Sequence, residues 1–285
     1  MRTVRHLRLR QLGALAARRV RGVRLVRVDG GDREPAPPCR WPAGAAFPAP
    51  AGAPDPASVL AGELTFQSRR EAVGFPPDWN RGGLPRLWRY HLHYHEFLQA
   101  LPFERARDAA LDWMARHPRG RGRVGWEPYP TSLRLGVWCA CFFGRHRART
   151  AADAAFGAAL WRSIREQAQH LSGNLERHLL GNHLLENAVA LTLTGSCFEH
   201  AAARAWYERG RTLLARELSE QVLPDGGHVE RSPMYQCRVV HALLLLQATG
   251  LADLGALVRP PLGRLGRALA AMTHPDGRIA LLNDS

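Results

Sequence analysis

The sequence predicts an all-α protein built from antiparallel helix pairs. From Tyr94 onward, apolar residues recur at helical spacing in one segment after another. The connections between these segments are short, and most of them contain Pro or Gly. No strand pattern separates the helices, which excludes a sheet of alternating strands and helices. The predicted helices cover 94–101, 104–117, 131–144, 151–170, 174–194, 198–219, 233–249 and 256–272.

Helix pairs of this kind could close into a bundle, a superhelix or a ring. The segments follow no fixed sequence period, so a regular solenoid is not expected. The 285 residues suffice for one large domain or two small ones. The sequence alone therefore predicts paired helices but leaves their overall closure open.

The part of the chain before these helices is predicted to be less regular. Met1–Val28 is predicted to form a basic helix, and Asp29–Pro56 a linker rich in Pro, Gly and Ala. Ala57–Gln67 predicts a short helix and then a strand-like L-T-F. Leu12–Ala17 is too short for the apolar core of a secretory signal. No run approaches the roughly 20 apolar residues of a membrane span, so the sequence predicts a cytoplasmic protein without one.

The chain is strongly basic. Its formal net charge is +14, and every basic residue in that sum is arginine because the chain has no lysine. Arginine suits an anionic partner, since its planar fork matches carboxylate, sulfate and phosphate groups. A GC-rich coding sequence would enrich arginine equally well, so both explanations stay open. The five cysteines show no metal-type spacing, and their odd number favours reduced thiols.

The histidines of Trp88–His95 allow two interpretations. If this segment is extended, His91, His93 and His95 share one face and could bind a metal ion. If it is helical, the three side chains spread around the axis. No fourth ligand is evident in the sequence, so we predict no metal cofactor.

A first polar motif lies in Arg177–Asn187, R-H-L-L-G-N-H-L-L-E-N, which is predicted to be helical. Its leucines fall on one apolar stripe, while Asn182 and Glu186, and likewise His183 and Asn187, are four residues apart. Amides and imidazoles suit fixed hydrogen bonds better than a solvated helix face. One interpretation is a buried polar network between two helices, and the other is a functional site.

A second motif lies in Glu220–Gln236, E-Q-V-L-P-D-G-G-H-V-E-R-S-P-M-Y-Q. Leu-Pro-Asp-Gly-Gly predicts a turn, and Ser232-Pro233 predicts the start of a helix with a capping serine. Tyr235 would then lie in the first helical turn. The loop before it contains His228, Glu230 and Arg231.

The chain resembles the heparinase II/III family of polysaccharide lyases from about Leu60 to its last residue. The resemblance lies in these two motifs and in Leu87–Leu98, Trp126–Leu135 and Thr273–Ser285. It implies an incomplete α/α toroid at 57–272, after a leader and linker at 1–56. Residues 273–285, with a strand expected at Arg278–Leu282, would begin a β-sandwich domain, so the sequence suggests a truncated chain. The resemblance also implies a periplasmic location as the alternative to the cytoplasm.

The resemblance implies cleavage of acidic polysaccharides by β-elimination, without an organic cofactor. Asn182 and His183 would neutralise the uronate carboxylate and stabilise the charge that develops when the C5 proton leaves. Tyr235 matches the catalytic tyrosine, an acid/base group that also protonates the leaving oxygen. Positive charge would lower its pKa, with Arg231, His228 and Arg134 as candidates. Glu186 and Glu230 are better suited to orienting His or Arg than to catalysis.

The segment after P-Y-P supplies a candidate anion site. Tyr129, Ser132 and Arg134 are expected at a helix start, where uronate or sulfate could bind. The alternative is an ordinary cap, with Thr131 or Ser132 capping and Arg134 exposed. Together with His228, Glu230 and Arg231, these residues form the predicted substrate-binding set.

Two other functions agree with part of the sequence. A non-catalytic module could bind acidic polysaccharide without cleaving it. The charge alone would also suit nucleic acid, but the chain has no recognised nucleic-acid-binding module and no interleaving of aromatic and basic residues. We therefore expect an acidic polysaccharide as the partner and no nucleic acid. No feature of the sequence indicates an oligomeric state.

Overall fold

The computed structural model describes residues 11, 13, 15, 16, 34–49, 54–119 and 123–285. Most of the predicted basic helix at Met1–Val28 lies outside these residues. Residues 34–49, from the predicted linker, contain turns and one isolated β-bridge between Cys39 and Phe198. This bridge attaches the segment to the helical part of the chain.

A short helix and a hairpin come next, of which the sequence predicts the helix and the first strand. Helix α1 spans Pro56–Leu60, and the Asp55 carboxylate caps it by accepting from the Ser58 amide at 3.0 Å. Strand β1 (Glu63–Phe66) contains the predicted L-T-F and pairs antiparallel with β2 (Arg69–Ala72). The second strand was not predicted, because its R-R-E-A sequence is polar and mostly exposed.

The rest of the described chain is helical, which confirms the all-α prediction. Short 3₁₀ segments at Glu96–Ala100 and Val124–Trp126 interrupt the helices, and α4 continues into a π-helical turn at Cys139–Arg145. The helices are α2 (Arg86–Tyr94), α3 (Phe103–Arg116), α4 (Pro128–Trp138), α5 (Arg147–Ala152), α6 (Ala154–Gly173), α7 (Gly181–Cys197), α8 (Ala201–Gln221), α9 (Pro233–Ala248) and α10 (Ala252–Ala271).

Helix α7 is the central element. It packs along α8 and also against α4, α6 and α9, and its residues from Leu184 to Cys197 are all buried. Two glycines allow the close contact with α8. A Cβ on Gly195 would lie 2.4 Å from the Tyr207 nitrogen, and one on Gly210 would lie 2.5 Å from the Thr192 nitrogen. These contacts hold the C-terminal half of α7 in a fixed position against α8. Closure of the helix pairs into a toroid remains a prediction.

Two predicted elements were wrong. The helix predicted at 174–194 begins only at Gly181, because Leu180 has φ +61° and Leu179 is 48% exposed. The expected strand at Arg278–Leu282 is a single bridge between Thr273 and Ile279. After that bridge the chain turns away, and the Asn283 amide donates to the Arg231 carbonyl at 2.5 Å.

Candidate active site

The two predicted motifs meet at the first turn of α7. The loop between α8 and α9 folds back on itself through a bridge between Val222 and His228. Gly226 permits the turn with φ +87°, and a Cβ there would lie 2.4 Å from the Arg264 carbonyl oxygen. The loop ends at Ser232, which caps α9 by accepting from the Tyr235 amide at 3.4 Å. This confirms the predicted helix start.

Glu230 joins the loop to Asn182. Its Oε1 accepts from the Asn182 backbone N–H at 2.6 Å and from Nδ2 at 3.0 Å, and its Oε2 is also 3.0 Å from Nδ2. Gly181 makes room for this carboxylate, because a Cβ there would lie 2.5 Å from Glu230 Oε1. Glu230 therefore orients an asparagine, and not the His or Arg that the sequence suggested.

His183 lies beside Asn182 and is held on two sides. Its Nδ1 is 3.2 Å from Glu176 Oε1, and its ring packs on that of Tyr129 with centroids 4.4 Å apart. The His183 side chain is 34% exposed, so the imidazole reaches solvent. Glu176 was not predicted from the sequence, because it lies outside the regular spacing of α7 in the loop before it.

Tyr235 lies in the first turn of α9 and is partly exposed. Burial raises the pKa of its phenol, and the negative charges of Asp284 and Glu230 raise it further. The expectation that cations lower this pKa was wrong. The common neighbour of the phenol and of Asn182 is the carboxylate of Glu230.

The cations that were expected to lower this pKa have other positions. Arg231 is exposed, and its carbonyl accepts from Asn283. His228 is buried, its Nε2 is 2.9 Å from Gln221 Oε1, and burial lowers its pKa. His228 therefore stabilises the loop from its buried side and is not accessible to substrate.

The predicted anion site at the start of α4 is also different. The helix begins at Pro128, so Ser132 is not a cap; its hydroxyl donates to the Pro128 carbonyl at 2.9 Å. Ser132 and Tyr129 are buried beside α7. Arg134 is fully buried: its Nε donates to Gln167 Oε1 at 2.8 Å and its Nη1 to the His93 carbonyl at 3.0 Å. This arginine supports the core and is not available to substrate.

A buried charge cluster lies one turn along α7. Burial raises the pKa of Glu186 to about 7, although the nearby Arg238 opposes the shift. Arg238 donates to Glu96 Oε1 at 2.7 Å. These three side chains and Ser132 line a pocket of about 30 Å³, with room for a water molecule. Glu96 and Arg238 were missed, because only the fold brings their distant segments together.

The histidines of α2 do not form a common face, since Arg86–Tyr94 is helical. His93 and His95 are buried, and their Nδ1 atoms accept from the indoles of Trp113 and Trp138 at 3.2 and 3.0 Å. Among the residues that the structure describes, no group of three His, Cys, Asp or Glu side chains is placed to hold a metal ion. Within the same part of the chain, no helix is long and apolar enough to cross a membrane.

Comparison with known proteins identifies the relatives of this chain. The family model described as Heparinase II/III N-terminus matches residues 88–285. A heparin-sulfate lyase of Bacteroides stercoris is 36% identical over 75 residues, which cover 26% of this chain and 11% of that protein.

Solved structures show the same fold. The heparan sulfate lyase HepC from Pedobacter heparinus is 18% identical with a TM-score of 0.58, covering 94% of this chain and 45% of that one. A structure of heparinase III is 17% identical with a TM-score of 0.55, covering 75% of this chain and 34% of that one. The chain therefore spans less than half the length of these relatives.

Proposed function

The chain belongs to the heparinase II/III family, and on this premise we propose that it is the helical part of a polysaccharide lyase. Its substrate would be an acidic glycan that contains uronic acid, cleaved by β-elimination. The observation that supports this most is the junction at Glu230. This carboxylate accepts a hydrogen bond from Asn182, and its charge raises the pKa of the Tyr235 phenol. His183 is adjacent to Asn182.

The proposed chemistry begins with the substrate carboxylate. The C5 proton of a uronate is weakly acidic because its carboxylate is already negative, so elimination needs donors that stabilise added charge. The Asn182 amide and the His183 imidazole are the two candidates. The amide is held in place before substrate arrives, since Glu230 bonds both its backbone and its side chain.

Tyr235 would transfer the proton. A phenol in the first turn of α9 is partly exposed and can reach a bound sugar. The Tyr235 phenolate would accept the C5 proton and become the neutral phenol, while the electrons of the C5–H bond form the C4–C5 double bond and the bond between C4 and the leaving oxygen breaks. The phenol would then donate its proton to that oxygen. The product is an unsaturated uronate. Tyr129, which is buried and packs on the His183 ring, would support that imidazole.

The test incubates the chain with heparan sulfate, heparin and alginate and follows the near-ultraviolet absorbance of unsaturated uronate. We expect absorbance to appear with at least one polymer. Tyr235→Phe should abolish it while leaving the affinity for that polymer largely intact. Tyr207→Phe is the matched control, because Tyr207 also loses a hydroxyl but bonds Asp253 on another surface.

The possible outcomes separate two functions. Binding of the polymers without any unsaturated product would refute the lyase and support a non-catalytic binding module. Equal activity in Tyr235→Phe would refute the role of the phenol. Loss of activity in Tyr207→Phe as well would show that the assay reports stability and not chemistry.

A further inference from the structure

We propose that Glu176 is a positioning residue that fixes the proton of His183 on Nδ1, so that Nε2 contacts a substrate carboxylate only as part of an imidazolium. This inference rests on the proposed function, which places a substrate carboxylate at His183. It adds Glu176 to the proposed site and specifies that His183 contacts the substrate as an imidazolium.

Both carboxylate oxygens of Glu176 contact other side chains of the site. It lies in the loop before α7 and is 5% exposed. Its Oε1 contacts His183 Nδ1 at 3.2 Å, and its Oε2 accepts from Asn187 Nδ2 at 3.1 Å. Asn187 also accepts the Glu176 backbone N–H on Oδ1 at 2.8 Å. The carboxylate is therefore held by a buried amide one helical turn from His183.

Further hydrogen bonds fix the Asn187 side chain that holds Glu176. The Asn187 amide also donates to Ser132 Oγ at 3.1 Å, and the Ser132 hydroxyl donates to the Pro128 carbonyl at 2.9 Å. Asn187 is fully buried and Ser132 is 2% exposed. This chain of bonds anchors Glu176 to α4, which explains how a loop residue keeps one orientation. Ser132, predicted as a substrate contact, thus supports His183 indirectly, through Asn187 and Glu176.

The imidazole has little freedom to turn. Tyr129 covers one face of its ring with centroids 4.4 Å apart, and Glu176 bonds one edge. An ionised carboxylate can only accept hydrogen bonds, so the nitrogen that faces it must bear the proton. Nε2, across the ring, is then the nitrogen left to contact substrate, since the His183 side chain is 34% exposed. In neutral His183 this Nε2 is an acceptor and would repel a carboxylate.

Only the imidazolium satisfies both neighbours. With both nitrogens protonated, His183 donates to Glu176 through Nδ1 and to the substrate through Nε2. A cation between two carboxylates also supplies the neutralising charge that elimination requires. Glu176 itself is not available to substrate, because it is buried and both of its oxygens are bonded.

The test measures the protonation of His183 directly by nitrogen-15 NMR of the ring, which needs no catalytic activity. In the wild-type chain without ligand, we expect a proton on Nδ1 of His183, the nitrogen that faces Glu176. With a uronate oligosaccharide bound, we expect protons on both ring nitrogens. In Glu176→Gln the Nε2–H form should increase, because a glutamine amide can also donate to Nδ1.

The kinetic readout uses the same variant. Glu176→Gln should lower kcat by about 10–100-fold, which is the scale known for metal-binding histidines that lose an orienting partner, and Glu176→Asp should recover part of that loss. Glu34→Gln is the control, since Glu34 forms a similar pair with His200 at 3.3 Å on another surface. It should change neither the His183 signals nor kcat.

The results separate this inference from the proposed function. A wild-type His183 in the Nε2–H form would overturn the inference, even if Glu176→Gln failed to fold. An unchanged kcat and an unchanged tautomer in Glu176→Gln would do so as well. A chain without lyase activity would refute the proposed function, while the ring signals would still decide the role of Glu176.

Discussion

Replacement of Glu230 by glutamine tests the contact that joins the two motifs. The variant keeps the length of the side chain and one oxygen, which can still accept the Asn182 backbone N–H. The oxygen at the Oε1 position can also still accept from Asn182 Nδ2, but the new amide nitrogen would face Nδ2 in place of Oε2, now 3.0 Å away. Two donors cannot bond each other, so the Asn182 side chain should lose one of its two contacts and be displaced from its present orientation.

Two effects on the rate oppose each other. Loss of the Glu230 charge makes the Tyr235 phenolate easier to form, because that charge raises the pKa of the phenol. In water a close charge pair is worth about 1 kcal/mol or less, which is about fivefold in rate. Loss of one oriented donor costs about 2.7–4 kcal/mol. The second effect is larger, so we expect kcat to fall by about 10–10²-fold.

The assay measures kcat and KM from the absorbance of unsaturated uronate, with thermal unfolding as the check on folding. Asp225→Asn is the matched control, because it removes a charge from the same loop. Its remaining oxygen can keep the turn bond to the Gly227 amide, now 2.8 Å long. An equal or higher kcat in folded Glu230→Gln, or a change confined to KM, would refute the reasoning.

Three further predictions concern the same helix and its attachments. Asn182→Ala should lower kcat by about 10²–10³-fold, and a change in KM alone would contradict this. Burial raises the pKa of Glu186 to about 7, so the folded state binds this proton more tightly than the unfolded state does. The free energy of unfolding should therefore fall by about 3 kcal/mol as the pH rises from about 4.5 to 7. Glu186→Gln should remove that loss in denaturant titrations at pH 5 and 8. The Cys197 thiol, 3.8 Å from Cys39, lowers the pKa of Cys39 to about 7, so iodoacetamide should alkylate Cys39 in the native chain before buried Cys139 and Cys141; equal rates would contradict this.

The sequence predicts the helices well where periodicity and capping agree. Ser232-Pro233 begins α9 as expected, because a serine cap and a first-turn proline favour the same start. Periodicity alone was misleading at Leu179 and Leu180. These leucines continue the stripe of α7, but the Glu176 backbone N–H bonds Asn187 and the helix begins only at Gly181. That contact is tertiary, and local spacing contains no signal for it.

The site shows the same division. The polar stripe that contains Asn182 and His183 could be recognised because its spacing on a helix is local, whereas the catalytic role of these residues comes from the family resemblance and stays a prediction. Glu176 could not be found in this way, since its partners lie 7 and 11 positions away across a loop. Arg134 was misassigned because arginine is usually exposed. The residues next to Arg134 in the sequence give no signal that its guanidinium packs over Trp113. The guanidinium carbon lies 4.0 Å from the centroid of that ring.

The protonation of Tyr235 links the two halves of the site. Burial and the charges of Asp284 and Glu230 favour the neutral phenol, which suits donation to a leaving oxygen but opposes abstraction of a proton. A bound uronate would add a further negative charge. Under the proposed function, the phenolate would become accessible only if Asn182 and His183 neutralised that carboxylate at the same time. Asn182 and His183 would then act on the chemical step and not only on binding, because they would determine whether Tyr235 can serve as a base.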